Sequence, residues 1–326
     1  MQGCSWYAHA LRLQRFLLYG ASALIFIVTT LQHSYTHKCL LEEPELNVRL
    51  ASYGKLEQNK ERLPAGTYIF TDLDRLPPPN LQAAALRYRE LRTGGHLVLN
   101  DPAKAMKRFG LLRALNRAGL NDFDAYSVES LDRPKSWPVF LRLEGDHQRP
   151  LSGLLNTPEE LDEALRSAVD SGVPRSALII IEYAAEPVGQ GLFRKLSVFR
   201  VGDQMLGYTC VHDDQWIVKY GKKGIATPEM YEEEYRFVAD NPFGPELRTV
   251  FDLAGIEYGR ADFGLIGGKP QIYEINTNPN MKLTDPAAVN RRRNDSTELF
   301  RTNYIAAMQA IDTAGAPRSR ARRAAR

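Results

Sequence analysis

Tyr258-Gly259-Arg260-Ala261-Asp262-Phe263, then Gly267-Gly268, then Tyr273-Glu274-Ile275-Asn276-Thr277-Asn278-Pro279-Asn280 is the stretch on which the reading of this chain turns. Two runs rich in aromatic and branched residues, near 257–265 and 271–275, flank a glycine pair and predict an antiparallel hairpin. Side chains alternate along a strand, so Arg260 and Asp262 share one face, as do Glu274 and Asn276. A hairpin that pairs those faces gathers three oxygen donors and one cation. Hard divalent ions such as Mg2+ take that carboxylate and amide set while keeping positions open for water and phosphate. Asp262, Glu274 and Asn276 are therefore the candidate metal ligands of a metal–nucleotide site.

Upstream of the hairpin, residues 245–253 predict a helix, and 195–201 with 204–211 a hairpin turning at Gly202-Asp203. Residues 138–143 (PVFLRL) and 178–183 (LIIIEY) read as strands, and 157–169 as a helix opened by Thr157 and Pro158. Asn100-Asp101-Pro102 supplies another helix start. Met106, Phe109, Leu112 and Leu115 then form one apolar stripe, so a helix is expected over 102–118 with Gly119 closing it. Earlier still, 23–30 (ALIFIVTT), 67–71 (TYIFT) and 96–99 (HLVL) read as strands and 81–92 as a helix. Residues 72–79 read as a loop, because three consecutive prolines cannot donate ladder hydrogen bonds. Such alternation belongs to a small α/β domain. Residues 220–235 read as a loop whose side chains carry no transferable code.

The chain has 326 residues, 44% hydrophobic and 25% charged, which suits a folded globular protein and excludes a disordered chain, a collagen or a polytopic membrane protein. Its net charge of +3 comes from the far end, where Arg318, Arg320, Arg322, Arg323 and Arg326 lie; without them acids outnumber bases. A basic appendage is not the basic face that phosphate backbones require, so no nucleic-acid partner is expected, and 314–326 read as a disordered tail. Cys4, Cys39 and Cys210 are far apart with no C-x-x-C pairing, which points away from disulfides and zinc and toward the cytoplasm. Residues 16–31 are apolar and follow Arg12 and Arg15, yet they fall short of the roughly 20 residues a bilayer span needs. A buried strand inside that segment is expected instead, with 1–22 as a leader.

The run R-x-D-F followed by E-I-N-T-x-P, here at Arg260 to Phe263 and Glu274 to Pro279, resembles the C-terminal signature of the ATP-grasp superfamily, as in D-alanine–D-alanine ligases. The resemblance implies an α/β chain of ATP-grasp fold. A small N-terminal α/β domain (23–99) would precede two α+β lobes that enclose the nucleotide, a lid lobe (100–184) and a metal-bearing lobe (185–313). It implies ATP with one or two Mg2+, Mn2+ being an alternative. The implied phosphate-binding cations are Lys107 or Arg108, early in the helix after Asn100-Asp101, and Arg142, at the end of its strand. The implied adenine hinge is Glu182, Tyr183 and Ala184, working through backbone N–H and C=O, with Glu186 reaching the ribose. Arg142 stands where lysine is usual, Asn278-Pro279-Asn280 replaces a Pro-Gly, and the lid loop would use Gly145, or Gly189 and Gly191.

The implied reaction is attack of a substrate carboxylate on the γ-phosphate, giving an acyl phosphate that an amine or thiol captures. Arg142 and Arg260 are the implied catalytic cations, the latter stabilising the transferring phosphoryl group or the tetrahedral oxyanion. The partners are then ATP and a small carboxylate-bearing substrate. Lys195, His212 and Lys219 are further candidates for the triphosphate or the acceptor, and His147 and Arg149 could close over phosphate. A small-molecule kinase on the same fold and an ATP-binding protein without turnover are the alternatives.

Overall fold

Ile25–Thr29 (β1) is a run of apolar and branched residues that is buried along its whole length, which only a strand covered on both faces allows. It lies inside a four-stranded parallel sheet of order β2-β1-β3-β4, with Val48–Ser52 (β2), Thr67–Phe70 (β3) and Leu97–Leu99 (β4). The structure, a computed structural model, describes residues 24–58, 64–130, 132–189, 191–284 and 290–312. The leader 1–22, residues 16–23 of the apolar N-terminal segment and the tail 314–326 lie outside the described residues. Among the described residues no helix is long and apolar enough to cross a membrane.

β2 has no counterpart among the strands expected from the sequence. It is an edge strand, with one buried residue at Val48, so its sequence lacks the continuous apolar run that marks its neighbours. The helix after the prolines, Pro78–Thr93, begins one residue after Pro77, because a proline at the first helical positions loses no hydrogen bond. Its Tyr88 and Leu91 pack into a core with Phe26, Tyr68 and Phe70.

Asn100 ties this sheet to the hairpin. It holds left-handed backbone at φ 65° and is fully buried. Its side-chain amide donates to the Phe70 and Tyr258 carbonyls (2.9 and 2.8 Å) and its oxygen accepts from the Glu257 and Tyr258 N–H groups (both 2.8 Å). The expected helix over 102–118 is shorter, Arg108–Arg117. Asp101 turns the chain by accepting from Ala103 N–H (3.0 Å), and Met106 N–H leaves the helical path to reach the Ala254 carbonyl (2.9 Å).

Ala125–Ser127 (β5), Val139–Leu143 (β6) and Leu178–Glu182 (β7) form a three-stranded antiparallel sheet of order β5-β7-β6. Helix Pro158–Asp170, capped by the Thr157 hydroxyl, covers one face through Leu161, Leu165 and Ala168. Helix Arg108–Arg117 places Leu112 against Ile179 and Ile181 on the other.

A five-stranded sheet completes the fold, Pro187–Val188 (β8), Leu192–Val201 (β9), Gln204–Asp213 (β10), Tyr258–Ile266 (β11) and Lys269–Asn276 (β12), in the order β10-β9-β11-β12 with β8 paired to β9. Helices Gly244–Ala254, Pro228–Asp240 and Arg291–Ala310 bury its apolar face around Phe199, Phe237, Phe251 and Tyr304. The second of these occupies much of the segment expected as a loop. Thr227 and Pro228 start it, and its acidic surface hides Glu234, Phe237 and Val238.

Candidate functional site

The hairpin register is the one that period two requires: Arg260 lies opposite Asn276 and Asp262 opposite Glu274. All four line a cleft of about 760 Å³ between the middle and C-terminal sheets. A register shift follows Asp262, where Phe263 pairs with Ile272 and Tyr273 is skipped. Such a bulge re-aims a side chain. Tyr273 and Glu274, adjacent in sequence, thus both line the cleft. Gly264 makes room, since a Cβ there would lie 2.1 Å from the Tyr273 hydroxyl, which instead reaches the Ala184 carbonyl at 2.9 Å.

Asp262 is only 3% exposed, and all of its lone pairs are used. Ser197 Oγ and Arg260 Nε donate to Oδ1 (2.8 and 2.7 Å), and Lys195 and a second Arg260 nitrogen to Oδ2 (3.2 and 3.0 Å). Burial alone would raise its carboxyl, but Arg260, Lys195 and Ser197 hold it far below the usual range. Arg260 gives its remaining nitrogen to the Asn280 carbonyl (2.9 Å). Glu274 pairs through Oε2 with Arg108 and lies 3.6 Å from His147 Nδ1; its Oε1 has no protein partner among the described residues. Asn276 Oδ1 accepts from Asn278 N–H at 2.8 Å.

Carboxylate and amide oxygens facing a cleft suit Mg2+ or Mn2+. Glu274 Oε1 and Asn276 fit such an ion directly. Asp262 would have to give up Lys195 or one arm of Arg260 first.

Neither Lys107 nor Arg108 lines this cleft. Lys107 lies 3.5 Å from the Leu76 carbonyl, beside a small crevice. Arg108 is buried and spends its charge behind the site, on Glu274 and on the carbonyls of Glu144 and Asp146 (2.9 and 2.8 Å). Burial lowers its guanidinium to about 10.

Arg142 does line the cleft and has no carboxylate partner among the described residues. It donates to the Asp146 and Gln148 carbonyls (2.8 and 3.5 Å), while its Nε is buried and unpaired. Burial, then the neighbouring Arg108, lowers it to about 9. A desolvated cation beside another cation, facing open space, is a site for an anion.

Glu182, Tyr183 and Ala184 line the cleft, but the Glu182 side chain is already engaged. Its carboxylate accepts from Asp124, Lys135 and Ser136 N–H groups and the Tyr126 hydroxyl (2.8 to 2.9 Å), so it pins the middle sheet and is unavailable to a ligand. Tyr183 N–H is bonded to the Pro138 carbonyl (2.9 Å) and Ala184 C=O to Tyr273. Of the backbone groups expected at the hinge, the Tyr183 carbonyl and the Ala184 N–H are left without a partner among the described residues. Glu186 caps the hairpin turn by accepting from Gly267 N–H (2.8 Å) and does not line the cleft, so it does not reach a ribose from there. His212 is buried toward Glu233 at 3.5 Å, also outside the cleft.

Lys195, Lys219, His147 and Arg149 all face the cleft, as does Gly145. Gly145 belongs to the loop 144–150, which Arg108 and Arg142 grip through the Asp146 carbonyl. Gly189 and Gly191 sit instead in the turn between β8 and β9. Lys219 Nζ lies 3.5 Å from Gln148, joining that loop to the segment after β10.

Sequence reasoning missed the cleft's apolar end. Leu112, Phe123, Phe140, Ile181, Trp216 and Tyr273 line it, with Trp216 4.9 Å from the Phe140 ring and 5.7 Å from Tyr183. Trp216 sits in an irregular segment, so no periodicity marks it.

No protein-family model matches the sequence, and no curated protein matches it significantly. Solved structures do match. D-alanine–D-alanine ligase from Bacillus anthracis is similar at 10% identity over 89% of this chain and 97% of that one, with a TM-score of 0.52. The same enzyme complexed with ATP covers 89% and 99% at 10% identity and TM-score 0.49. L-amino acid ligase from Bacillus licheniformis covers 79% and 69% at 11% identity and TM-score 0.46.

Proposed function

The chain has the ATP-grasp fold, and on that premise we propose that it is an ATP-dependent ligase joining a carboxylate to a nucleophile through an acyl phosphate. One observation carries the reading. A single cleft is lined by an aromatic cluster, Trp216 against Phe140 and Tyr183, and by the cations Arg142, Lys195 and Arg260, and among the described residues Arg142 has no carboxylate partner. That lining suits a flat base on the aromatic cluster and a polyphosphate on the cations.

The lobes would be the three of the sequence reading, 23–99, 100–184 and 185–313, and the free Cys39 and Cys210 suit a reducing cytoplasm. The base would lie against Trp216 and Tyr183, with the Ala184 N–H and the Tyr183 carbonyl reading its edge. Arg142 and Lys195 would hold phosphate oxygens, and Arg260 the oxygen on which charge develops as phosphoryl moves. Glu274 and Asn276, with Asp262 once Lys195 turns to phosphate, would hold Mg2+, which when bound neutralises charge between the β- and γ-phosphates. The loop 144–150, carrying His147 and Arg149, would cover the acyl phosphate and keep out water.

Calorimetric titration of ATP with and without Mg2+, beside Glu274→Gln, tests this. Micromolar binding that needs Mg2+ and weakens at least tenfold in the variant is expected, about the 1.4 kcal/mol of one ionic contact. No binding to the wild type overturns the reading. ADP release that a polyol alone supports would move it to a kinase.

A further inference from the structure

The cleft has a second wall, at the carboxyl ends of β1 and β3. In the order β2-β1-β3-β4 the chain leaves β1 toward one edge and β3 toward the other, so the loops 30–37 and 71–76 splay apart. Open parallel sheets bind ligands in the crevice at such a switch point. Gln32, His33, Tyr35, Asp74 and Arg75 line the cleft there.

Behind them Asp72, fully buried at φ 58°, collects five donors: Thr29 Oγ1 (2.8 Å), Thr30 N–H (3.0 Å), Thr30 Oγ1 (2.8 Å), Asn278 Nδ2 (2.8 Å) and Arg75. Burial alone would raise its carboxyl, but the bonds from Asn278, Thr30 and Thr29 hold it below its ordinary value. As an ionised acceptor it takes the single hydroxyl proton of Thr30. The Thr30 oxygen, 2.9 Å from His33 Nδ1, can then only accept. Nδ1 therefore carries the ring proton, and Nε2 keeps its lone pair. Nε2 has no partner among the described residues. Asn278 also donates to the His33 carbonyl (3.3 Å), fixing this loop against the strand end that bears Asn276.

We propose that His33 is a catalytic base that receives the acceptor nucleophile at Nε2, with Thr30 and Asp72 as the residues that position it. This rests on the ligase reading and names the acceptor class: a small molecule whose attacking atom, an amine or hydroxyl, still carries the proton to be removed. The N–H or O–H bond breaks as the proton passes to Nε2. The freed pair then forms the bond to the acyl carbon while the carbon–oxygen bond to phosphate breaks, phosphate leaving with the electron pair of that broken bond. The imidazolium returns its proton to the departing phosphate, and His33 is restored.

Long-range proton–nitrogen NMR on protein carrying 15N-histidine reads the tautomer directly, with His33→Gln assigning the signal. An Nδ1-protonated His33 is expected in wild type and in Thr30→Ser, and a mixture of tautomers in Thr30→Val; an Nε2-protonated ring in the wild type overturns the proposal. Kinetics then use pooled amino acids as carboxylate donors and acceptors, beside hydroxylamine, an acceptor already unprotonated at neutral pH. His33→Gln should lower amide formation by ~100-fold while hydroxamate formation stays within twofold. Equal loss of both products overturns the base role. Absence of Mg-ATP binding in the wild type sinks the ligase reading instead, and the tautomer result is independent of it.

Discussion

Replacing Arg142 by methionine should move stability and ligand binding in opposite directions. Methionine keeps most of the length and removes the charge. Among the described residues that charge donates only to two carbonyls, with Arg108 repelling it and Asp146 attracting it more weakly, and burial, then Arg108, lowers the guanidinium to about 9. Each tenfold loss of proton affinity is worth about 1.4 kcal/mol, so keeping the cation in place costs the fold a few kcal/mol. Against that, methionine forfeits the two carbonyl bonds, roughly 1–3 kcal/mol together. Urea unfolding of Arg142→Met should therefore give a stability equal to the wild type or up to about 1 kcal/mol above it, a gain available where a site stores strain for function. A charge-assisted contact to phosphate in a confined cleft is worth about 1.5–3 kcal/mol, so calorimetric Mg-ATP affinity should fall roughly 10- to 150-fold. A variant that unfolds at clearly lower urea while binding Mg-ATP as before would refute the reasoning, and would make Arg142 a structural cation.

Glu182→Gln should show the reverse pattern. Its amide would face the Asp124 N–H with a donor and weaken three other bonds, costing about 2–4 kcal/mol, whereas Mg-ATP affinity measured well below the melting temperature should change less than twofold. Wild-type stability with a tenfold loss of affinity would restore Glu182 to the hinge. His37 is fully buried with neither ring nitrogen paired among the described residues, and burial, against the pull of Asp72, lowers it to about 4. Between pH 6.5 and 4 the unfolded chain binds a proton that the folded chain refuses, so stability should fall with pH there by up to about 1.4 kcal/mol per unit. His37→Leu should lose that share of the slope and keep wild-type stability at pH 8; urea curves of equal slope for both proteins would exclude His37 as the cause. Trp216→Ala should weaken Mg-ATP binding about 5- to 100-fold by removing a stacking surface, and an unchanged affinity would place the base elsewhere.

The hairpin was legible because its information is local. Period two and a glycine turn suffice to set Arg260 opposite Asn276 and Asp262 opposite Glu274, and buried strands such as Ile25–Thr29 and Leu178–Glu182 announce themselves as unbroken apolar runs. The helix cap at Thr157 and the turn at Gly202-Asp203 are of the same kind, a few neighbouring residues with one favourable backbone answer.

Charge partners and cleft walls depend on residues far apart in sequence, and there the tertiary structure decided. Arg108 opens a helix and Arg142 lies in a strand, and among the described residues folding pairs Glu274 with the first and no carboxylate with the second, so of the two Arg142 is left wanting an anion. Glu182 looks like a hinge acid until Lys135, Ser136 and Asp124 turn their N–H groups onto it. Tyr273 should point away from Glu274, and a single bulge brings both into one cleft. His33 carries no pattern at all. Its lone pair faces the cleft only because Asp72, 39 residues on, claims the one proton that Thr30 could have given it.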